Sequence, residues 1–439
     1  MSNGLRVQPL EGKARDAYRL STAEINAFDG SVRSGKTVGT LYDFAQFCIH
    51  GPEGLFCIAG RTQRTVINNL IIPMQEMFGA NNVVIKYGSG TVDIFGREVL
   101  IVGANNEQAR TKIQGLTLAA AYADEVATLP ESFFDMLVSR LSVKGARMWC
   151  TCNPEGPRHW FKKKWLDRAK LWIRHDGTLI DRRDEYANKD VEDPTRPIDL
   201  HRFSFLLDDN KNLDPEYVAR RKASYTGLFY LRMILGEWAL ADGVIYSMFD
   251  EDKHVIDYEQ LPTMQRLIAF GLDIGANHPT AGILLGIGAD NKLYAIAEYA
   301  PPTGSTDRQI ADGLDKFLDQ HQTRFGQQVE GIFVDPSALS IKLELTERNH
   351  TIYNASNKVK EGIRTIGSLL LSGHLYFSSL CPKLVAEIPD YVWDPKAAEK
   401  GEDKPIKIDD DFLDAARYSI ASTRYTWQSY LDGPAIDDT

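Results

Sequence analysis

No uninterrupted apolar run in the 439-residue chain approaches the roughly 18 residues that a membrane-spanning helix requires. The first ten residues lack the charged-then-apolar order of a secretion signal. Both absences predict a protein that works in the cytoplasm where it is made, away from membranes. Cysteine is scarce. Cys48, Cys57, Cys150, Cys152 and Cys381 are odd in number and sit mostly in apolar runs. Cys150-Thr-Cys152 has no second ligand pair at zinc-like spacing, so buried free thiols are expected. Internal repeats and low-complexity tracts are missing too, and a chain of this length is expected to hold two or more domains. An overall basic excess is also absent, since the net charge is −10. That deficit is uneven. Residues 1–250 carry 32 Lys and Arg against 31 Asp and Glu, whereas residues 251–439 carry 18 against 29. Binding to nucleic acid depends on local patches, so the total excludes little. The candidate patches are Lys162-Lys163-Lys164, Arg182-Arg183 and Arg220-Arg221-Lys222, each of which, taken singly, better suits a solvated helix face.

What is present is more specific. Gly30-Ser31-Val32-Arg33-Ser34-Gly35-Lys36-Thr37 satisfies every fixed position of the phosphate-binding pattern G-x-x-x-x-G-K-[ST]. The apolar stretch Ile25 to Phe28 leads into it and a helical run from Thr37 to Ile49 follows, the strand–loop–helix context the motif needs. Backbone N–H groups at a helix N-terminus would cradle phosphates. Lys36 would reach the β- and γ-phosphates, and the Thr37 hydroxyl would ligate Mg²⁺. Downstream, Leu118 to Ala123 reads as a buried strand closed by Asp124-Glu125. Asp124 would hold the Mg²⁺ hydration shell and Glu125 would polarise the attacking water.

The second half has its own order. Strands are expected at Leu267–Ile274, Thr280–Ile287 and Lys292–Tyr299, then a helix at Ser305–Gln320 and a short strand at Glu330–Val334 closed by Asp335-Pro336. A helix at Leu339–Arg348, a strand at Thr351–Asn354 and helices near Glu361–Leu371 and Asp411–Tyr425 complete it. This β-β-β-α-β-α order, with Asp273 and Asp335 ending strands one and four, is the ribonuclease H arrangement. Asp411 and Asp414, three apart on the last helix, would turn toward that pair. Carboxylates converging there would repel one another unless divalent cations neutralised them. Two Mg²⁺ or Mn²⁺ ions would then suit phosphodiester cleavage. Taken singly, strand-end acids are ordinary turn residues, and Asp409 to Asp411 suit a helix cap.

Taken together, these segments make the chain resemble the large terminase subunit of tailed bacteriophages. The likeness rests on Gly30–Thr37, Tyr122-Ala-Asp-Glu125, Thr151-Cys-Asn153-Pro154, Gly156-Pro-Arg-His-Trp160, Gly236-Glu-Trp238, Gly271-Leu-Asp-Ile-Gly275, Val334-Asp-Pro336 and Asp410-Asp-Phe-Leu-Asp-Ala-Ala-Arg-Tyr418. It implies an α/β chain in which an additional-strand, RecA-like P-loop NTPase domain precedes a ribonuclease H-like nuclease. It further implies ATP-driven movement of double-stranded DNA into a procapsid, with metal-dependent cutting at the start and end. The partners implied are the portal, a small terminase subunit and further copies of the chain in a ring. Thr151 and Asn153 would sense the γ-phosphate, Arg33 would contact phosphates in its own subunit, and Arg140 would reach a neighbour's ATP. Two positions depart from the family pattern. Asp411 stands where a His is usual, and only Gln8 is available to read adenine, so ATP over GTP is implied by the resemblance alone. The expected boundaries are an ATPase domain over 1–244 with a helical subdomain at about 160–240, a linker over 245–264 and a nuclease over 265–439. The competing readings are a recombination helicase–nuclease and a non-enzymatic capsid-associated subunit.

Overall fold

A computed structural model describes residues 11–275, 279–408 and 410–431; Gln8 and Asp409 lie outside them. The chain forms two compact units, one of residues 1–213, 230–240 and 399–402, the other of 214–229, 241–398 and 403–439. Among the described residues no helix is long and apolar enough to cross a membrane. All five cysteines are free and buried.

The first unit is built on one ten-stranded sheet. In chain order its strands are β1 (Ile25–Gly30), β2 (Leu55–Gly60), β3 (Val83–Lys86), β4 (Thr91–Ile94), β5 (Arg97–Gly103), β6 (Leu118–Ala123), β7 (Arg147–Cys152), β8 (Ala169–Ile173), β9 (Leu179–Asp181) and β10 (Ile198–Phe205). Their spatial order is β3-β4-β5-β2-β6-β7-β1-β10-β8-β9. The seven strands from β5 to β8 run parallel, and the antiparallel pieces are confined to the rims. A parallel sheet is covered on both faces, which is why Leu118–Ala123 is apolar without alternation. One face packs Phe44, Phe56, Tyr122, Trp149 and Phe203; the other packs Cys57, Ala121, Phe133, Phe134 and Phe161.

The stretch expected as a helical subdomain is not one. Residues 160–240 contribute β8, β9 and β10, and β10 pairs directly with the phosphate-loop strand β1. Its polar residues conceal it in the sequence, and they are buried for a reason. Arg202 Nη2 lies 2.5 Å from Asp29 Oδ2, Ser204 donates to Asp29 Oδ1 at 2.7 Å, and Trp238 Nε1 donates to Asp29 Oδ2 at 2.9 Å. Burial alone would raise the Asp29 pKa, yet Arg202 and these donors hold it lowered. Breaking such a buried pair by removing one partner costs about 3–5 kcal/mol.

The second unit carries a seven-stranded mixed sheet. Its strands are β11 (Val255–Ile256), β12 (Met264–Asp273), β13 (Ala281–Gly288), β14 (Leu293–Tyr299), β15 (Ile332–Val334), β16 (Ile352–Asn354) and β17 (Leu375–Ser378), in the spatial order β11-β17-β14-β13-β12-β15-β16. β12, β13 and β14 form an antiparallel meander, and β15 joins β12 in parallel. The order β14-β13-β12-β15-β16 is the ribonuclease H core. Residues 245–264 are ordered within this unit: Ile245 N–H donates to Tyr391 C=O at 2.8 Å, Tyr246 is buried, and β11 pairs with β17.

Helix Asp307–Phe325 opens on a capping box between Thr306 and Gln309 and ends on Gly326 in the left-handed conformation. Helix Asp411–Ser422 lies across β12 at unusually short range. A Cβ on Gly271 would come 2.0 Å from the Ala415 carbonyl oxygen, so only glycine admits this approach. That contact decides where the helix carries its acids.

Candidate functional site

In the first unit the chemistry gathers at the carboxyl ends of β1, β6, β7 and β2, where parallel sheets present their ligand sites. Gly30, at φ +131°, lies so close to β10 that a Cβ would meet the Phe205 carbonyl oxygen at 1.9 Å. The loop is pinned there: Ser31 N–H donates to Phe205 C=O (2.8 Å), Val32 N–H to Met233 C=O (3.1 Å) and Ser31 Oγ to Ile234 C=O (2.7 Å). Arg33 sits at φ +54° and its carbonyl accepts from Asn210 Nδ2 at 2.9 Å. Gly35, at φ +87°, is the N-cap of helix Lys36–His50, which places Thr37 in the first turn.

Lys36 is the hub. Its Nζ donates to Gly30 C=O (3.1 Å), Ser31 C=O (2.6 Å), Ser34 Oγ (3.3 Å) and Asn153 Oδ1 (3.2 Å). Burial lowers its pKa to about 8 against the upward pull of Asp29, Asp124 and Glu125. Asp124 Oδ1 accepts from Thr151 Oγ1 at 2.6 Å, and the Glu125 N–H points at the same hydroxyl at 3.4 Å. Thr151 and Asn153 thus join the Asp124 carboxylate and the Lys36 ammonium. Burial raises the pKa of Asp124. Glu125, at φ +48°, is pushed up to about 7 by burial and by Asp124, with Arg61 and Lys36 opposing. This set suits a magnesium nucleotide: oxygen donors at Thr37 and Asp124, a cation for phosphate, and a base with a pKa near neutrality.

Arg140 is elsewhere. It ends helix Glu131–Ser139, and its carbonyl accepts from Leu118 N–H at the start of β6. That is the opposite end of the strand from Asp124, so Arg140 does not line the site of its own subunit. Sequence reasoning missed Arg61, which follows β2 beside Glu125, and Tyr122, whose hydroxyl bonds Thr40 Oγ1 at 2.7 Å under the loop helix. The basic patches are matched locally. Lys162 and Lys163 pair with Asp167, Lys164 with Glu131, Arg182 with Glu185, Arg183 with Asp181 and Arg220 with Glu216, while Arg221 is buried.

In the second unit Asp273 ends β12, with Asp335 just past β15 and Asp411 and Asp414 in the first turn of helix Asp411–Ser422. Asp273 is pushed up to about 7, first by burial and then by the charges of Asp414 and Asp411, with Lys407 opposing and Asp335 adding. Asp335 runs the other way. Burial would raise it, but Ser337 (N–H 2.7 Å, Oγ 2.5 Å) and Tyr418 Oη (3.0 Å) hold it lowered. Asp414 accepts from Arg417 Nε (3.1 Å) and from Lys407 Nζ (2.7 Å), and Lys407 also reaches Asp410 Oδ2 at 2.8 Å. The helix is capped by Glu387, whose carboxylate accepts from the N–H groups of Phe412 (3.2 Å) and Leu413 (2.8 Å), while the side chain of Asp410, the residue before the helix, makes no capping bond. Burial pushes Glu387 up to about 8.

The four expected acids therefore share one neighbourhood without closing into a ligand shell. Among the described residues no group of three or more His, Cys, Asp or Glu side chains stands close enough to hold a metal. The donor chemistry nonetheless fits a hard divalent cation. The donors are all carboxylate oxygens, whose charges add to burial in raising Asp273, and a cation, the Lys407 ammonium, already bridges two acids of this helix end.

β7 stands between the phosphate-loop strand β1 and the Asp124 strand β6, the mark of the additional-strand P-loop NTPases. Followed by a ribonuclease H-like sheet, it defines a class in which a P-loop NTPase fold precedes a nuclease fold. A family model described as terminase large subunit, T4likevirus-type, N-terminal, matches residues 27–253. The large terminase of a thermophilic bacteriophage, solved in complex with ADP, is 31% identical, with a TM-score of 0.79, covering 93% of this chain and 98% of that one. The same phage protein in complex with ATP-gamma-S is again 31% identical at TM-score 0.79, covering 94% and 100%. No curated protein matches this chain. The chain belongs to the family of large terminase subunits.

Proposed function

We propose that the chain is an ATP-driven DNA-packaging motor with a fused metal-dependent endonuclease. One observation carries the motor reading: Asp124-Glu125 at the end of β6 faces Lys36 across Thr151 and Asn153, with Glu125 near neutrality. In this reading Lys36 would leave its carbonyl cage for the phosphates, Thr37 and Asp124 would hold Mg²⁺, and Glu125 would take the proton of the attacking water. Arg33 contacts phosphate from within the loop. Thr151 and Asn153 move with the nucleotide because they touch both charged centres. The similarity to a terminase solved with ADP and with ATP-gamma-S supports a nucleotide at this loop. Arg140, remote from its own site, acts on a neighbouring subunit in a ring on the portal. Mixing Arg140→Ala with Glu125→Gln subunits should restore part of the ATPase activity across mixed interfaces, and no recovery at any ratio would remove that role.

In the second unit Asp273, Asp335 and Asp414, with Asp411, would hold divalent metal, which supplies activation of water and stabilisation of the leaving oxygen. Tyr418 and Ser337 orient Asp335, and Arg417 orients Asp414. The substrate is double-stranded DNA brought by a small terminase subunit, and cutting shows little base preference, since backbone contacts position without specifying. The deciding experiment supplies linear DNA, ATP and purified empty proheads. ATP-dependent protection of full-length DNA from added nuclease supports the motor; duplex unwinding without protection points to a helicase.

A further inference from the structure

Asp414 is gripped from two sides by cations of different mobility. Arg417 is 3% exposed, fixes Asp414 Oδ1 from Nε and Nη2 (3.1 and 2.9 Å), and also donates to the Ser356 carbonyl at 3.1 Å. It is built into the core. Lys407 takes the other oxygen, Oδ2, at 2.7 Å, yet its side chain is 53% exposed. It sits between Pro405, bridged to Trp393, and Asp410, the residue before the helix. With half of its side chain already in solvent, it can leave without opening a core cavity. Its two oxygens, on Asp410 and Asp414, are of the type that a hard divalent cation takes. An ammonium 2.7 Å from Asp414 Oδ2 repels a divalent ion approaching the same oxygen, so the two compete for it.

We propose that Lys407 is a tethered competitor of the metal, a positioning residue that holds Asp414 Oδ2 and sets the metal concentration at which the nuclease becomes competent. The inference rests on reading the acids around Asp273 as the metal site. Before metal arrives, Lys407 neutralises part of the cluster. When metal binds, the ammonium yields Asp414 and swings toward solvent, while Arg417 keeps the carboxylate oriented.

The test is direct Mn²⁺ binding to the full-length protein without nucleotide or DNA, read from the loss of the free-Mn²⁺ electron paramagnetic resonance signal. Lys407→Met should bind Mn²⁺ about tenfold more tightly than wild type, the scale on which neighbours of a metal ligand act. Lys407→Arg keeps the cation and should stay near wild type, and it stands as the control if the methionine variant folds poorly. Asp273→Asn in either background should weaken the binding. Equal or weaker Mn²⁺ affinity in Lys407→Met, with Asp273-dependent binding in wild type, overturns the competition. Binding that does not depend on Asp273 in any variant removes the metal reading itself, and this inference with it.

Discussion

Glu125 and Asp273 are both pushed up to about 7, by burial first and by neighbouring acids second, yet the lysines near them are held in opposite ways. Lys36 is buried in a cage of neutral oxygens, two main-chain carbonyls, a hydroxyl and an amide, and burial lowers its pKa to about 8. Such a cage satisfies hydrogen bonds without neutralising charge, so the lysine is ready for a phosphate anion. Lys407 is half-exposed and its partners are carboxylates; burial works against its charge, but Asp414 and Asp410 win and its pKa is raised. It is already neutralised, and what it resists is an incoming cation. In the proposed roles the same side chain recruits a ligand in one unit and delays one in the other. Its partners decide which.

The sharpest break in this comparison is Glu125→Gln. It should keep nucleotide affinity, because the Lys36 contacts remain, while phosphate release falls by about 10²–10⁴-fold. Stability should move the other way. A Glu whose folded pKa lies above its unfolded value of 4.5 stabilises the fold below pH 4.5 and loses that contribution as pH rises through about 7. The neutral isostere should therefore stabilise the fold at pH 8 by on the order of 1–3 kcal/mol, read as a higher melting temperature. A normal hydrolysis rate in the assembled motor would assign the base elsewhere.

Asp273→Asn and Asp414→Asn should abolish plasmid nicking while ATP turnover stays near wild type. Asp411→His should keep substantial cutting, because imidazole also ligates metals. Mn²⁺ should serve at least as well as Mg²⁺, being less demanding of geometry, and chelator should stop the reaction. Metal-independent cutting would erase the contrast between the two sites.

Gly271→Ala tests how the acids are placed. The new Cβ would meet a main-chain oxygen at 2.0 Å, so helix Asp411–Ser422 must shift. The expected cost is about 1–3 kcal/mol, read in denaturant midpoints, together with a loss of nicking. An unchanged midpoint would mean that the helix is not seated there. The smallest effect expected is on pH. ATP hydrolysis at saturating nucleotide should rise roughly tenfold between pH 6 and 8 as Glu125 loses its proton. A flat profile would show that bound nucleotide resets that acid.

Much of this was legible in the residues. A phosphate loop has few alternatives once strand, glycines and lysine are in register, and Leu118–Ala123 is too apolar to be anything but buried. The five ribonuclease H strands follow from period and turns. What stayed hidden depends on partners distant in sequence. Ile198–Phe205 carries His201, Arg202 and Ser204, so it does not read as a central strand until Asp29 is known to need two of them. Val359 to Asp390 hides β17 and the Glu387 that caps the last helix, because a glutamate's target cannot be read from its neighbours. Arg61 and Lys407 look like surface cations, and only tertiary placement puts each beside an acid. Spacing puts Asp411 and Asp414 on one helix face, but it does not show that Arg417 and Lys407 both pair with Asp414.

The hydrogen bonds from Ser31 and Val32 to Phe205, Met233 and Ile234 have a mechanical meaning. The phosphate loop is moored to the segment Tyr230–Leu240, the last stretch of the first unit before the chain passes at Ala241 into the second. Trp238 of that segment is tied to Asp29 at the base of the loop. A pull on the loop is therefore passed to that segment by one main-chain bond, from Val32 N–H to Met233 C=O, reinforced by the side chains of Ser31 and Trp238. A loop moored in this way serves as a force-bearing joint as well as a cradle.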